Sequence, residues 1–267
     1  MTSLYTNGTA PPALAHTLHT LQRRFGPAGM VQPARSALPP VAAIPTGFAA
    51  LDAALGIGGL PRGRVVDIFG PESSGKSTLC LHVIAQAQRL GGTALFVDTE
   101  HALDPAWLRQ CGVDAAALYV AQPDNAETAL EIVAGMAAAG VELIVLDSAA
   151  ALTPRAEVET DMGDTHPGLM AGLLSQALRK LVGPLYRSGS LLIVTNQLRR
   201  TAGGGHTHTG GSALRHYASV RLELRPQRAL RERNVVVGRR IRATVVKNRL
   251  APPHRSATFD IWHGGGQ

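Results

Sequence analysis

The stretch Gly70-Pro71-Glu72-Ser73-Ser74-Gly75-Lys76-Ser77-Thr78 decides the fold of this 267-residue chain. It fits the spacing G-x-x-x-x-G-K-[ST], in which glycines let backbone N–H groups surround a polyphosphate. Lys76 supplies a positive charge for the β- and γ-phosphates, and the hydroxyl of Ser77 is a ligand for Mg²⁺. A strand pattern at 64–69 and a helical pattern at 76–90 predict the strand and helix that such a loop requires on either side.

The rest of the chain alternates strand patterns with helical patterns. We predict strands at 64–69, 94–98, 117–120, 142–147 and 190–195, and helices at 76–90, 104–111, 126–138 and 168–182. Continuous apolar strands separated by helices predict a mostly parallel, buried sheet with flanking helices, the α/β class of the P-loop NTPases. Three further β-type runs, at 217–225, 235–247 and 257–262, predict an antiparallel extension of that sheet.

A short segment precedes this core. Its apolar stripe at helical spacing consists of Leu14, Leu18, Leu21 and Phe25. A linker with Pro27, Pro33, Pro39, Pro40 and Pro45 follows. Because so short a helix is marginal alone, it must pack either on its own core or on a neighbouring subunit. We assign residues 1–41 to the tail, helix and linker, and residues 42–267 to one core domain.

Charge is distributed unevenly along the chain. Residues 187–267 hold 15 of the 26 lysines and arginines but only three of the 19 acidic residues. A basic C-terminal third is typical of a protein that binds a polyanion such as nucleic acid, with a solvated arginine-rich face as the alternative. Only Lys76, Lys180 and Lys247 are lysines, and the first of them lies in the phosphate loop.

Composition argues against several other classes of protein. No apolar run reaches the ~18 residues that a membrane span requires, so we expect no membrane partner. Residues 1–12 are polar and lack the apolar stretch of a signal peptide. Cys80 and Cys111 lie in predicted helical segments, which argues against a disulfide and predicts a cytoplasmic protein.

Acidic side chains follow the predicted strands at the edge where parallel sheets bind ligands. Asp147 closes the strand 142–147 and is the expected holder of Mg²⁺. Asp98 and Glu100 follow the strand 94–98. Because Glu100 lies further into the loop, we predict that it activates the attacking water as general base and that Asp98 is structural.

The predicted strand 190–195 leads into a polar segment. Gln197 stands just past that strand and is placed to sense the γ-phosphate, so that the loop 198–211 moves in response. Arginines beside exposed backbone N–H groups suit phosphodiester contacts, which makes Arg199 and Arg200 candidates for DNA binding.

Seven ordered segments of the chain resemble the bacterial RecA-type recombinases, from about Leu14 to Gly265. They are Gly-Pro-Glu-Ser-Ser-Gly-Lys-Ser-Thr (70–78), Asp-Thr-Glu-His-Ala-Leu-Asp-Pro (98–105), Asp-Ser-Ala-Ala-Ala-Leu-Thr-Pro (147–154), Asn-Gln-Leu-Arg (196–199), Thr-Gly-Gly-Ser-Ala-Leu (209–214), Tyr-Ala-Ser-Val-Arg-Leu (217–222) and Val-Val-Lys-Asn-Arg (245–249). Other P-loop ATPases share only the first segment and the aspartate of the third. The resemblance implies a DNA-dependent ATPase that polymerises on single-stranded DNA, pairs it with homologous duplex DNA and exchanges strands in DNA repair.

The resemblance also implies roles for individual residues at the nucleotide. Glu100 matches the family's catalytic glutamate and Asp147 its Mg²⁺-linked aspartate, while Glu72 matches an assisting residue. Gln197 matches the glutamine that relays the nucleotide state to the second DNA loop. Lys76 is the lysine of the phosphate loop.

Further matching positions concern the base, the neighbouring subunit and DNA. Asp104 and Trp107 match residues that contact adenine. Lys247 and Arg249 match two lysines that reach the ATP of the adjacent protomer, so that ATP would lie between two copies. The matching DNA-backbone positions are Ser175, Arg179, Gly210, Gly211 and Ser212.

The chain departs from the family in three places, one of which is the first DNA loop, 157–167, where Pro167 stands in place of a wedging methionine. The resemblance stops with the ATPase core, so we expect a shortened form without the family's C-terminal domain. The second DNA loop has glycines in place of bulky apolar residues, so backbone binding should survive better than base spacing. A recombinase is therefore one hypothesis, and a RecA paralogue that binds ATP and DNA but modulates another recombinase is the alternative. An SOS-type repressor is a further partner that the resemblance implies.

Overall fold

The fold is described here from a computed structural model. It describes residues 11–26, 40–161, 168–200, 206–208 and 211–263, without the side chains of 199, 200 and 206–208. The chain divides into two compact units, Met1–Pro40 and Val41–Gln267. In the first unit, helix α1 (Pro12–Phe25) begins with a proline whose fixed φ suits a first turn, and no residue of this helix is buried. Whether α1 packs on its own core or on a neighbouring subunit stays a prediction.

The second unit contains the remaining elements. Its helices are α2 (Ala49–Leu55), α3 (Lys76–Arg89), α4 (Pro105–Gln110), α5 (Ala126–Ala138), α6 (Arg155–Val158), α7 (Leu169–Ser188) and α8 (Ala213–Tyr217). Its strands are β1 (Ala43–Ile44), β2 (Leu60–Pro61), β3 (Val65–Gly70), β4 (Ala94–Asp98), β5 (Leu118–Ala121), β6 (Leu143–Asp147), β7 (Leu191–Arg200), β8 (His206–His208), β9 (Val220–Glu232), β10 (Val235–Asn248) and β11 (Ser256–Trp262). The main sheet has the order β11-β10-β9-β3-β7-β6-β4-β5, and β1 pairs separately with β2.

The sheet has a parallel part and an antiparallel part. Strands β9, β3, β7, β6, β4 and β5 pair in parallel, whereas β10 pairs antiparallel with β9 and β11. One apolar core packs α3 against one face of the sheet, and a second packs α5 and α7 against the other. Because both faces are covered, β3, β4 and β6 are buried at every residue, and their sequences are apolar apart from Asp67 within β3 and the aspartates that end β4 and β6. The predicted α/β class with an antiparallel extension is confirmed.

Strand β7 differs from its prediction. It continues to Arg200, and β8 pairs with its far end in antiparallel register. Gln197 therefore lies inside the strand, beside Gly70 of β3, and the prediction that it stands just past the strand was wrong. The prediction of an entirely looped segment 198–211 was wrong for the same reason. Pairing with neighbouring strands on both sides extends β7, and a single-sequence pattern does not reveal such partners.

The region after β7 also differs from its prediction. Residues 213–217 form helix α8 rather than the start of a strand, and β9 begins at Val220. Strands β9 and β10 form a long hairpin, whose turn uses positive φ at Arg233 (44°) and Asn234 (71°). Pro226 fits within β9 because a register shift lies beside it, where a missing N–H costs little.

Candidate nucleotide site and DNA-facing surface

The phosphate loop connects β3 to α3 at the carboxyl edge of the parallel strands. Gly75 has a left-handed φ of 86°, and a Cβ built on it would lie 2.6 Å from Cδ1 of Ile261. A Cβ on Gly70 would lie 2.3 Å from the carbonyl oxygen of Leu224. Gly70 is therefore required by the close approach of the β9 backbone, and Gly75 by its left-handed φ. Since α3 begins at Lys76, its first N–H groups have no partners within the helix and are available to an anion.

The side chain of Lys76 folds back over this loop. Its Nζ donates to the carbonyl oxygens of Pro71 at 2.9 Å and Gly70 at 3.4 Å, and the residue is only 8% exposed. Burial lowers the pKa of Lys76, while the charges of Asp147 and Glu100 act to raise it. An ammonium group has three N–H donors, so a phosphate would offset the cost of burying this charge.

Asp147 lies at the end of β6 and is held by two hydroxyl groups. Thr195 donates to its Oδ1, and Ser77 of the phosphate loop is also hydrogen-bonded to this carboxylate. Burial raises the pKa of Asp147, and the bonds from Ser77 and Thr195 partly oppose that shift. Adjacent carboxylate and hydroxyl oxygens are the hard donors that Mg²⁺ prefers, and this cation commonly uses only one or two protein ligands beside phosphates. The residues present therefore fit a nucleotide-bound Mg²⁺.

The two acids after β4 have different surroundings. Asp98 is 2% exposed and accepts hydrogen bonds from the N–H groups of Ala102 (3.2 Å) and Leu103 (3.1 Å) and from Nε2 of Gln122 (3.0 Å). Asp98 thus shapes the turn that carries Glu100, which agrees with its predicted structural role. Glu100 is exposed, and its Oε1 accepts a 2.5 Å hydrogen bond from Oγ of Ser148.

A cavity of about 300 Å³ brings five of the predicted nucleotide residues together. Its lining includes Ser77, Glu100, Asp104, Trp107 and Asp147. Within it, Asp104 caps α4 by accepting from the N–H of Ala106 at 2.8 Å, which fixes the helix that carries Trp107. Glu72 lies on the exposed side of the phosphate loop, close enough to act on the pKa of Lys76.

A second cavity of about 340 Å³ lies across Thr78 and Trp107. His82, Phe48 and Trp262 also line it, and the ring of Phe48 packs edge-on against that of His82 at 4.9 Å between centroids. Sequence reasoning did not predict this aromatic lining, because its residues come from α3, the start of α2 and the end of β11.

Sequence reasoning also missed the side chains that hold the acids in place. Thr195 holds Asp147 and Ser148 holds Glu100. Thr195 could have been found from strand register. Leu146 pairs with Val194, so the next residues along β6 and β7 are Asp147 and Thr195.

Lys247 and Arg249 lie away from the phosphate loop of their own chain. Lys247 pairs in register with Arg221 of β9, which pairs with Asp67 of β3. Asp67 precedes Gly70 by three residues, so at a rise of ~3.3 Å per residue the position of Lys247 along the strands is about 10 Å from the start of the phosphate loop. Lys247 Nζ donates to the carbonyl oxygen of Arg215 at 2.6 Å, and burial lowers the pKa of Lys247, with Arg249 adding to the shift.

The described DNA candidates lie along one side of α7. Ser175 and Arg179 are four residues apart and share a helix face. Gly211 approaches Ala171, one turn earlier on that face, since a Cβ built on Gly211 would lie 3.0 Å from Cβ of Ala171. Ser212 follows directly and precedes α8. Gly210 and the side chains of Arg199 and Arg200 lie outside the described residues.

Comparison with known proteins identifies the family. A family model described as RecA N-terminal domain matches residues 12–267. Proteins named Protein RecA from Frankia casuarinae, Leifsonia xyli and Rubrobacter xylanophilus are 52%, 52% and 51% identical over 259 residues. These alignments cover 95% of this chain and 75%, 72% and 75% of the relatives. None of the described helices is long and apolar enough to cross a membrane. The match favours a recombinase over an accessory paralogue, and the chain belongs to the RecA family of DNA-dependent ATPases that act as recombinases.

Proposed function

We propose that this protein hydrolyses ATP with Mg²⁺ while it forms a filament on single-stranded DNA and pairs that strand with homologous duplex DNA. The observation that carries the proposal is the arrangement of Ser77, Asp147 and Glu100 around one cavity beside the buried ammonium of Lys76. This set supplies an anion clamp, metal-binding oxygens and a base, the parts that phosphoryl transfer needs.

Each residue has one task in this proposal. Lys76 and the loop N–H groups bind the β- and γ-phosphates, and Trp107 offers its ring to the adenine. Mg²⁺ held by Ser77 and Asp147 would neutralise charge on the phosphates. Glu100, oriented by the hydroxyl of Ser148, takes the proton of the attacking water. Glu72 adds a second carboxylate on the exposed side of the loop.

The catalytic site is proposed to be complete only between two copies. Lys247 lies beside Asp67 across the sheet, and Arg249 lies two residues further toward the amino end of β3. Both are therefore away from their own phosphate loop. They are therefore better placed to meet a triphosphate held by a neighbouring copy. Contacts of this head-to-tail kind do not close on themselves when the rotation between copies leaves the ring open, and they then generate a helical filament.

The DNA surface is proposed to run along the face of α7 that carries Ser175 and Arg179, beside Gly211 and Ser212. Gln197 is paired in register with Gly70 of the phosphate loop, and its strand β7 continues toward the segment that ends at Gly211. The phosphate loop is therefore connected to the proposed DNA surface through strand pairing and the chain of β7. We propose that loss of the γ-phosphate acts through this connection and weakens DNA binding.

The state of the two cysteines bears on the cellular location of the protein. Both cysteines are free and buried, which suits a reducing cytoplasm, where we place the protein. An SOS-type repressor stays a proposed partner on the basis of the family resemblance alone.

A strand-exchange assay tests the proposal. The protein is mixed with ATP, Mg²⁺, a labelled single-stranded oligonucleotide and a homologous duplex, and joint molecules are resolved on a gel. We expect joint molecules with the homologous duplex and none with a heterologous duplex of equal length or with the Lys76→Ala protein. Hydrolysis stimulated by DNA without any joint molecules would refute strand exchange and restore the accessory hypothesis.

A further inference from the structure

A cleft of about 730 Å³ lies at the amino end of β3, between α7 and the segments that follow α8 and β10. Four basic residues from four separate parts of the chain line it, namely Arg64, Arg179, His216 and Arg249. Among the described residues that line the cleft, none is acidic. A concave surface with uncompensated positive charge concentrates field lines and attracts anions.

The three arginines of this cleft keep most of their hydrogen-bonding capacity. The ion pairs found in the described residues are Arg62–Glu142, Arg221–Asp67, Arg225–Glu223 and Arg240–Asp260, so the cleft arginines take part in none of them. Arg64 Nη1 donates to the carbonyl oxygen of Gly63 at 3.0 Å, and Arg249 Nη2 donates to that of His216 at 3.0 Å. Each guanidinium has five N–H donors, so these single bonds leave donors for a ligand.

Arg64 is also held in place by an aromatic ring. Its guanidinium carbon lies 5.0 Å from the centroid of the Tyr186 ring, within the range of a cation–π contact. A stacked guanidinium loses less freedom when it binds a ligand, and its planar fork matches two oxygens of a phosphate. These features make Arg64 a pre-organised donor rather than a freely moving surface charge.

We propose that this cleft is a second phosphate-binding site and that Arg64 is one of its ligands. The inference rests on the proposed function and deepens it, because it adds Arg64 to a surface that already holds a DNA candidate and a candidate contact to a neighbour's triphosphate. The phosphate could belong to a nucleic-acid strand, since Arg179 is a DNA candidate, or to a triphosphate held by a second copy, since Arg249 is a candidate for that contact. Both sources present the same chemistry to Arg64.

Titration calorimetry with inorganic tripolyphosphate tests the site. The Lys76→Ala protein is the starting material, because its own phosphate loop is disabled. We expect Arg64→Gln in this background to weaken tripolyphosphate binding about fivefold or more, as the loss of a forked charge-assisted contact requires. Arg228→Gln is the matched control, since it removes one exposed arginine from the β9–β10 hairpin outside the cleft. Equal affinities with and without Arg64, or an equal loss with Arg228→Gln, would overturn the proposal.

A conservative variant guards against a folding defect. Arg64→Lys keeps the charge but not the fork, so it should retain the melting temperature and lose affinity by an intermediate factor. Full affinity in Arg64→Lys together with unfolded Arg64→Gln would mean that Arg64 serves the fold and binds no phosphate.

Two measurements on the Arg64→Gln protein with an intact phosphate loop then identify the source. Weaker binding of a single-stranded oligonucleotide, with unchanged ATP hydrolysis at saturating DNA, indicates a phosphate of the strand. Unchanged oligonucleotide affinity with slower hydrolysis at saturating DNA indicates the triphosphate of a second copy. If neither quantity changes, the cleft serves no phosphate in the working protein and the proposal fails.

Discussion

The two ends of the parallel strands carry opposite arrangements of charge. At the carboxyl end, the ammonium of Lys76 lies among Asp147, Glu100 and Glu72, whose charges all act on its pKa. At the amino end, Arg64 and Arg249 line a cleft in whose described lining no acid is found. The cavity at one end thus has acids for a metal ion and a base, whereas the described lining of the cleft at the other end has cations and no acid. Neither end alone therefore holds all the groups that the proposed hydrolysis uses. Copies stacked end to end would bring the acids of one copy to the cations of the next.

Both ends hold charges that are unfavourable in the free protein. At the carboxyl end, burial raises the pKa of Asp147 and lowers that of Lys76. At the amino end, burial lowers the pKa of Lys247, and the nearby charges of Arg249 and Arg221 lower it further. A triphosphate bound between two copies would offset the cost of burying the positive charges of Lys76 and Lys247. Local instability of this kind is common where a site is prepared for a ligand.

The largest effect is expected from removal of the carboxyl-end cation. Lys76→Ala should abolish measurable ATP binding and lower hydrolysis by about 10³-fold, because it deletes the charge aimed at the transferred phosphate. Fluorescent-nucleotide binding and phosphate release measure the two quantities. Lys180→Ala is the matched control, as Lys180 is an exposed lysine on α7. Equal losses in both variants would mean that net charge, and not the phosphate loop, decides binding.

A smaller effect is expected from removal of the base at the same end. Glu100→Gln should leave ATP affinity within about twofold and reduce hydrolysis about 10²-fold, since general-base catalysis is lost while the phosphate clamp remains. Single-turnover hydrolysis with DNA present separates binding from chemistry. Glu131→Gln, an exposed glutamate on α5, controls for the loss of a charge. Normal turnover in Glu100→Gln would transfer the base role to another residue.

Mixing two inactive proteins tests whether the two ends meet across copies. One partner is Lys76→Ala, and the other is the double variant Lys247→Ala with Arg249→Ala. In an equal mixture, head-to-tail contacts should restore hydrolysis at up to about a quarter of the seams, because only one of four neighbour combinations is intact. No recovery in the mixture, with the double variant fully active alone, would show that Lys247 and Arg249 do not serve a neighbour's nucleotide.

Much of the carboxyl end could be predicted from the sequence, because its residues lie in short contiguous motifs. The loop 70–78 and the acids Asp147 and Glu100 follow directly from local patterns, and the structure places Ser77 of that loop and both acids around one cavity. Their supports, Thr195 and Ser148, act across strands and depend on register that a single sequence does not reveal.

The amino end was much less predictable for the same reason. Its cleft collects Arg64, Arg179 and Arg249 from distant parts of the chain, and no spacing links them. The resemblance supplied Arg179 and Arg249 individually, but only the packing of α7 beside Val65 and the pairing of β10 through β9 with β3 bring them near Arg64. The full length of β7 and the continuation of β9 to Glu232 were missed because tertiary pairing overrides local preference.

The smallest expected effect compares two aspartates at the carboxyl end, Asp98 and Asp147, which are paired in register on β4 and β6. Burial raises the pKa of Asp147 above its ordinary value, so its carboxylate destabilises the free protein at neutral pH. Asp147→Asn should therefore raise the free energy of unfolding at pH 7, while it removes Mg²⁺-dependent hydrolysis. This gain should shrink as the pH falls through the raised pKa, because protonation relieves the same cost in the unsubstituted protein.

Asp98→Asn should do the opposite, since Asp98 accepts three hydrogen bonds and an amide oxygen cannot replace two carboxylate oxygens. We expect a loss of about 1–3 kcal/mol for the donors left unpaired in a buried site. Urea unfolding of the nucleotide-free proteins between pH 5 and pH 8 measures both changes. Destabilisation by Asp147→Asn at pH 7 would mean that the bonds from Thr195 and Ser77 outweigh the burial of charge. The same substitution on adjacent strands thus distinguishes Asp98, whose carboxylate stabilises the turn, from Asp147, whose carboxylate costs stability but is needed to bind Mg²⁺.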